Sequence, residues 1–177
     1  MNNPLLQQFQ TPHQTFPFSE ISLQHIGQAI LQGMELEKAE VTSIIENPEK
    51  PSFVNTIEAL EHSGEVLERA TTLMYNLSSA ETSDELDELA QRMAPLLATH
   101  NVEIMTSDPL FKRIQKVYNN SENLTGEKRR LLECTYENFV RAGALLSTED
   151  KSKLKEIKSE LSQLSLRFSQ NVLKETN

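Results

Sequence analysis

The sequence predicts an all-α protein: about six helices in an antiparallel bundle or a set of stacked helical hairpins, preceded by an extended N-terminal arm. Three observations predict this fold class. The 177 residues hold only five glycines, and Leu, Glu, Gln, Ala and Lys, which favour helices, are abundant. Apolar residues recur mainly every three or four positions, and few alternating β-branched runs could build a sheet. The length suits one sizeable core.

Residues 1–18 are predicted to form the arm, which packs on the body, and residues 19–177 the helical domain. Pro4, Pro12 and Pro17 recur through the arm and disfavour a regular helix. Its Leu and Phe side chains are too apolar for a disordered tail, so we expect them to lie on a larger body.

The first helix is predicted to begin at Ser19 or Ser22 and to end near Glu46, because Pro48 forbids the helical conformation at Asn47. Its apolar side chains share one face and are expected in the core. They are Ile26, Ala29, Ile30, Val41, Ile44 and Ile45.

The second helix is predicted over about residues 56–78. Asn55 is expected to cap it while Glu58 reaches back to complete a capping box. Gly64, in its middle, would permit a close approach or a bend at a cost of about 1 kcal/mol. Its apolar face is formed by Ile57, Leu60, Leu67, Met74 and Leu77.

The third helix is predicted over about residues 84–106. Thr82 and Glu85 form a second capping-box pattern, and Pro95 should kink the helix because it removes a backbone hydrogen bond.

Three more helices are predicted in the last third of the chain. Asp-Pro at 108–109 opens the fourth, Thr125 caps a fifth that runs to about Leu146, and Ser147 or Thr148 caps the sixth. The sixth carries one apolar stripe, formed by Leu154, Ile157, Leu161, Leu164, Phe168 and Val172. Neither a capping Gly nor a Pro ends this pattern, so we expect a helix severed from a longer polypeptide.

Charge and hydropathy exclude several classes of protein. A net charge of −9 argues against a nucleic-acid partner, because phosphate binding needs clustered Lys and Arg. No stretch has the roughly 18 to 20 apolar residues of a membrane span, and the N-terminus lacks the pattern of a signal peptide. The lone Cys134 suits a reducing compartment. The sequence therefore favours the cytoplasm, while a periplasmic or exported location stays open if a leader precedes Met1.

The residues alone predict no catalytic site and no metal ligands. The four histidines, His13, His25, His62 and His100, lie in different segments, so no H-E-x-x-H helix can form. Cys134 has little reason for a lowered thiol pKa, and neither a G-x-S-x-G turn nor a Gly-rich phosphate loop is present. The acids at residues 81–88 are interpreted as a solvated helix start.

Four long stretches resemble the N-terminal region of the thimet-oligopeptidase family of zinc metallopeptidases, in particular its bacterial peptidyl-dipeptidase and oligopeptidase A branch. Together they span nearly the whole chain. They are NPLLQQFQTPHQTFPFSEISLQHIGQAI, NPEKPSFVNTIEALEHSGEVLERA, YNLSSAETSDEL and RLLECTYENFVRAGALLSTEDKSKLKEIKSELSQLSLRFSQNVLKET.

The resemblance implies a parent enzyme that cleaves short oligopeptides through a zinc-activated water, with the zinc motif beyond the region represented here. Release of C-terminal dipeptides is the first choice and internal cleavage the second. This chain would form one wall of the substrate channel against the missing catalytic half. It would carry no catalytic residue and no zinc, its substrate-binding residues stay unassigned, and it would be inactive alone.

Two other hypotheses stay open at this stage. The chain could be a free-standing helical module that binds a protein partner through its arm and last helix. A self-sufficient metal-carboxylate bundle is disfavoured, because paired Glu-x-x-His motifs are absent from the sequence.

Overall fold

The computed structural model describes residues 3–80 and 83–176, and these contain no strand. Six α-helices of eleven or more residues lie within them, so the predicted all-α fold is confirmed. They are α1 (Leu23–Glu46), α2 (Glu65–Ala80), α3 (Asp84–Met105), α4 (Asp108–Tyr118), α5 (Gly126–Ala142) and α6 (Thr148–Thr176).

The chain divides into two compact units, each with its own apolar core. Unit 1 comprises Met1–Glu37, Gly64–Leu97 and Ser159–Asn177, and unit 2 comprises Lys38–Ser63 and Ala98–Lys158. The three long helices α1, α3 and α6 each contribute residues to both units.

The core of unit 1 joins the N-terminal residues to α1, α2 and α3. Leu5 is fully buried there, and Phe9 and Phe16, with ring centroids 5.2 Å apart, pack against the same cluster. The N-terminal residues before α1 include three short 3₁₀ turns, the first at Pro4–Leu6. The other buried members are Ile26, Ala29, Ile30, Met34, Leu67, Ala70, Leu73, Met74, Leu86, Leu89, Ala90 and Met93.

The core of unit 2 gathers α4 and α5 around the end of α1 and the segment that follows it. An aromatic cluster packs against it: the half-buried Tyr136 stacks on Phe111 and on Tyr118, with ring centroids 5.5 Å and 4.1 Å away. The fully or nearly fully buried members are Val41, Ile44, Phe53, Ile57, Leu110, Phe111, Ile114, Val117, Leu132, Phe139 and Ala144.

The predicted second helix is in fact interrupted near its middle. A π-helical segment, Phe53–Glu58, continues into a single α-helical turn, and the chain then turns at Gly64, whose φ is +77°, before α2 begins. A Cβ at Gly64 would lie 2.8 Å from the Glu37 carboxylate. Gly64 therefore ends one helix and allows the next to start, where the sequence predicted a single helix with a bend.

The start of this segment also differs from the prediction, because Asn55 is not the capping residue. The Ser52 hydroxyl accepts from Asn55 N at 3.2 Å, and the Asn55 side chain accepts from Ser52 N at 2.9 Å. The capping box is real, but it begins three residues earlier than predicted and Glu58 has no part in it.

The fifth helix ends earlier than predicted, at Ala142 instead of Leu146. Gly143 has a φ of +104°, its N–H donates to Val140 O, and Ala144 N donates to Phe139 O. This left-handed glycine ends α5 because it redirects the chain while satisfying the last helical carbonyls.

The other helix starts agree with the sequence only in part. The predicted cap Thr82 lies outside the described residues; next to it, the Ser83 hydroxyl accepts from Leu86 N at 3.2 Å. Thr125 has the extended conformation of a cap residue, but its side chain makes no capping hydrogen bond. Ser147 does cap α6, since its hydroxyl accepts from Asp150 N at 3.1 Å.

Candidate functional site

The four histidines occupy separate environments, as the sequence indicated. His13 and His62 are exposed, His25 is half-buried with its Nδ1 accepting from Ser22 N at 3.3 Å, and His100 is buried on α3. Across residues 3–80 and 83–176, no three His, Cys, Asp or Glu side chains are grouped so that they could hold a metal ion. The family resemblance places the zinc motif beyond this region, and the described residues do not offer an alternative group of ligands.

A groove of about 580 Å³ lies within unit 1, between α2, α3 and the second half of α6. Its lining is apolar with several hydroxyl groups, and it contains neither a histidine nor a carboxylate. The lining residues are Tyr75, Ser78, Ser79, Ala94, Ser162, Ser165, Leu166, Ser169, Gln170 and Val172.

Three of the six groove hydroxyls are already engaged with their own helices. The hydroxyls of Ser79, Ser162 and Ser169 donate to main-chain carbonyls three or four residues earlier, at 2.8 to 3.1 Å. The Ser78 hydroxyl is buried without a hydrogen-bond partner, and burial raises the pKa of Tyr75. Among the described lining residues there is no histidine or carboxylate that could act as a base on these hydroxyls.

The second half of α6 lies in unit 1, and the side of the helix that contacts the rest of this unit is largely polar. Gln170 is buried, its Oε1 accepts from Gln91 Nε2 at 2.8 Å, and Leu166 packs against the core. On the opposite side of the helix, Leu164 and Phe168 are 55% and 71% exposed. The apolar stripe predicted from the sequence therefore faces solvent instead of the core.

The other members of that stripe divide between the two units. In unit 1, Leu161 and Val172 are 52% and 46% exposed, and in unit 2 Ile157 is 61% exposed. Leu154 alone is half-buried, with a methyl group close to Gly143.

The first half of α6 is held in unit 2 by ion pairs from its lysines. Lys155 Nζ lies 2.5 Å from Glu103 Oε1, and Lys38 Nζ lies 3.7 Å from Glu103 Oε2. Lys151 Nζ contacts Asp108 Oδ1 at 2.6 Å and Thr106 O at 2.9 Å. Lys151 and Lys155 thus each pair with an acid on another helix.

These ion pairs affect the pKa values of both acids. The hydrogen bond from Lys155 and its positive charge lower the pKa of Glu103 below its ordinary value of 4.5, although partial burial opposes the change. The hydrogen bond from Lys151 lowers the pKa of Asp108 in the same way. The acids are thereby stabilised as carboxylates, and neither of them lines the groove of unit 1.

Arg113 is a buried charged residue that was not identified from the sequence. It is 8% exposed, its Nη1 donates to Asn47 O at 2.8 Å, and its Nη2 donates to the side-chain oxygen of Asn55 at 3.4 Å. These partners are parts of the protein itself, so Arg113 joins the loop after α1 to α4. A charged residue at a core position in the α4 pattern was the signal that could have identified it.

Comparison with known proteins gives relatives that span almost the whole chain, although no family model matches it. Dipeptidyl carboxypeptidase of Escherichia coli (strain K12) is 38% identical over 173 residues, which are 97% of this chain and 25% of that protein. The Salmonella typhimurium protein of the same name is 35% identical over an equal span. Oligopeptidase A of Salmonella typhimurium is 26% identical over 178 residues, 99% of this chain.

The chain thus spans about a quarter of the length of the curated relatives that it matches. The match lies in the N-terminal region of those proteins, and it includes both units of the structure. Among residues 3–80 and 83–176, no helix is both long and apolar enough to cross a lipid bilayer.

Proposed function

Because the chain belongs to the thimet-oligopeptidase family and matches the N-terminal region of its members, we propose that it is the non-catalytic helical domain of a zinc metallopeptidase that cleaves short oligopeptides. The observation that carries this proposal is the 38% identity over 173 residues, nearly the whole chain, to a peptidase.

Release of C-terminal dipeptides is the proposed reaction of the parent. The two relatives named dipeptidyl carboxypeptidase are 38% and 35% identical to the chain, whereas the oligopeptidase A proteins of Salmonella typhimurium and Escherichia coli are 26% and 25% identical. Internal cleavage of short peptides is the alternative, and digestion of a blocked peptide ladder by the longer protein separates the two reactions by their products.

The domain is proposed to form one wall of the channel that admits short peptides. Helices with an apolar and hydroxyl-rich groove, like that of unit 1, offer an unfolded peptide both apolar contact and hydrogen bonds. Zinc would be held by the part of the parent outside the match. The absence of a nucleic-acid partner and a cytoplasmic location stay predictions from the sequence.

The proposal is tested by zinc analysis and a peptidase assay on two proteins, the 177-residue chain and the full product of its reading frame. We expect stoichiometric zinc and cleavage of a short fluorogenic peptide in the longer protein alone. Stoichiometric zinc together with cleavage by the 177-residue chain would contradict the non-catalytic role.

A free-standing interaction module is the second candidate, and the exposed apolar side chains on α6 favour it. The two candidates differ in the reading frame downstream of Asn177. A stop codon directly after Asn177 supports the module, and a continuation into an H-E-x-x-H helix removes it.

A further inference from the structure

The outer side of α6 in unit 1 carries an apolar surface that the described residues leave uncovered. This surface, the α6 outer face, consists of Leu161, Leu164 and Phe168, which are 52%, 55% and 71% exposed. The three residues follow each other at intervals of three and four and therefore form one continuous strip along the helix. A helix at the surface of a complete globular fold normally shows solvent its polar side instead.

The orientation of the helix is fixed by contacts on its other side. Gln170 is 8% exposed, accepts from Gln91 Nε2 at 2.8 Å and donates to Asp87 O at 3.4 Å. Leu166 packs against the core of unit 1. Rotating the helix to bury Phe168 would break both amide contacts of Gln170 and expose Leu166, so the outer face cannot be covered by a small adjustment.

The residues around the α6 outer face do not suit a membrane surface. Helices that lie on membranes are rich in Lys and Arg along the polar side. Here the exposed neighbours carry both signs, with Lys158 and Arg167 beside Glu160, and the whole chain has a net charge of −9. A protein surface is the better match for a narrow apolar strip between mixed charges.

The relatives indicate where such a protein surface comes from. The matched region is about a quarter of their length and is N-terminal, so roughly three quarters of each relative follows the match. A segment of the same polypeptide is held near the strip at a high effective concentration, whereas a second molecule must lose its translational freedom to bind.

We propose that the α6 outer face is the surface on which the part of the same polypeptide that follows Asn177 packs. This inference rests on the proposed function, because both require a longer parent protein. It assigns Leu161, Leu164 and Phe168 to an interface inside that parent.

The test measures how fast single cysteines react with a maleimide in two proteins, the 177-residue chain and the full product of its reading frame. Leu164→Cys and Phe168→Cys report on the α6 outer face, and Gln163→Cys, exposed on another side of the same helix, is the matched control. All three are made with Cys134→Ser, which removes the native thiol. Circular dichroism checks that each variant keeps its helix content.

We expect Leu164→Cys and Phe168→Cys to react at least about tenfold more slowly in the longer protein, because burial shields a thiol. Gln163→Cys should react equally in both. Equal rates at all three positions, or equal slowing at all three, would overturn the assignment. Slowing that depends on protein concentration and accompanies a dimer in sedimentation would overturn it in favour of a second copy.

A peptidase assay on the same longer protein distinguishes this inference from the proposed function. Protection of the outer face without peptidase activity would contradict the proposed function and leave the interface standing. Peptidase activity without protection of the outer face would contradict the interface and leave the proposed function standing. A reading frame that stops after Asn177 would refute both.

If a cysteine variant of the longer protein fails to fold, Phe168→Ser supplies a second measurement. The substitution should leave the melting temperature of the 177-residue chain nearly unchanged and lower that of the longer protein by several degrees, because a buried aromatic side chain is lost only there. An equal effect in both proteins would count against the interface.

Discussion

Arg113 connects the loop after α1 and the π-helical segment to α4. Its guanidinium donates to Asn47 O and to the side-chain oxygen of Asn55, and the residue is 8% exposed. Asn55 is also a partner in the capping box with Ser52, so the two features depend on one another. A buried charge of this kind is stabilising only while all of its partners stay in place.

The first prediction concerns this side chain. Replacing Arg113 with Ala should lower the free energy of unfolding by about 3 kcal/mol, because three partly buried hydrogen bonds from a buried charged donor are lost. Lys112→Ala, on the exposed side of the same helix, is the control and should change it by less than about 0.5 kcal/mol. Urea unfolding measures both, and equal effects would show that Arg113 has no special role.

A second prediction at this scale concerns the Glu103 carboxylate, whose pKa Lys155 lowers below 4.5. A pKa that is lower in the folded state contributes stability above the unfolded value, and this contribution is lost as pH falls through the folded value. Lys155→Met should therefore cost roughly 0.5 kcal/mol at pH 7, since the pair is partly exposed. The variant should also lose less stability than the native chain between pH 5 and about pH 3. Urea unfolding at several pH values in that range gives the stability of both proteins. Parallel profiles of stability against pH would contradict the prediction.

At the scale of the elements, α1 and α2 approach each other closely at Gly33. A Cβ added at Gly33 would lie 2.8 Å from Leu67 Cα and 2.9 Å from Leu67 N, which are main-chain atoms that cannot move aside. A Cβ added at Gly27, which lies on another face of α1, would have only the Leu89 Cδ1 methyl close to it, at 3.1 Å. The two glycines thus have different roles in the same helix.

This difference gives the third prediction. Gly33→Ala should destabilise the chain by about 1 to 3 kcal/mol, because α1 and α2 must separate. Gly27→Ala should lose no more than about 0.5 kcal/mol, since the gain in helix propensity offsets a small shift of the Leu89 side chain. Thermal unfolding of both variants measures the difference. Equal losses of stability would mean that the contact between α1 and α2 does not set the effect of Gly33→Ala.

At the scale of the whole molecule, each unit has a separate core, and five of the thirteen exposed large apolar side chains among the described residues lie on α6. The α6 outer face differs from scattered apolar residues such as Leu145, which is 65% exposed in unit 2. A continuous strip on one helix binds apolar ligands and neighbouring molecules more readily than single side chains do. The 177-residue chain should therefore bind an environment-sensitive apolar dye and tend to self-associate.

The fourth prediction makes this specific to α6. Leu164→Ser combined with Phe168→Ser should reduce dye fluorescence and self-association while changing the free energy of unfolding by less than about 0.5 kcal/mol for each exposed site. Leu145→Ser is the control and should leave the dye signal almost unchanged. Fluorescence titration and sedimentation provide the readouts, and a clean monomer without dye binding in the native chain would refute the prediction.

Much of this fold follows from local rules in the sequence. The 3.6-residue apolar pattern identified the helices, and Pro48 and the Asp-Pro at 108–109 marked two of their boundaries correctly, because a proline acts on its immediate neighbours. The capping box of the π-helical segment was predicted, but three residues too late, since Ser52 and Asn55 both suit the motif and only the backbone path selects one.

What the sequence by itself determined is the helical content, the core-facing sides of the first two predicted helices and the relationship to the peptidases. Only the tertiary structure decided which side of α6 faces the body. The sequence shows an apolar stripe, and a stripe alone predicts burial in the nearest core. In the structure, Gln170 and Leu166, and not the stripe, contact the other helices of unit 1. Contacts between residues about 80 positions apart depend on how the helices pack, and they leave no local pattern in the sequence.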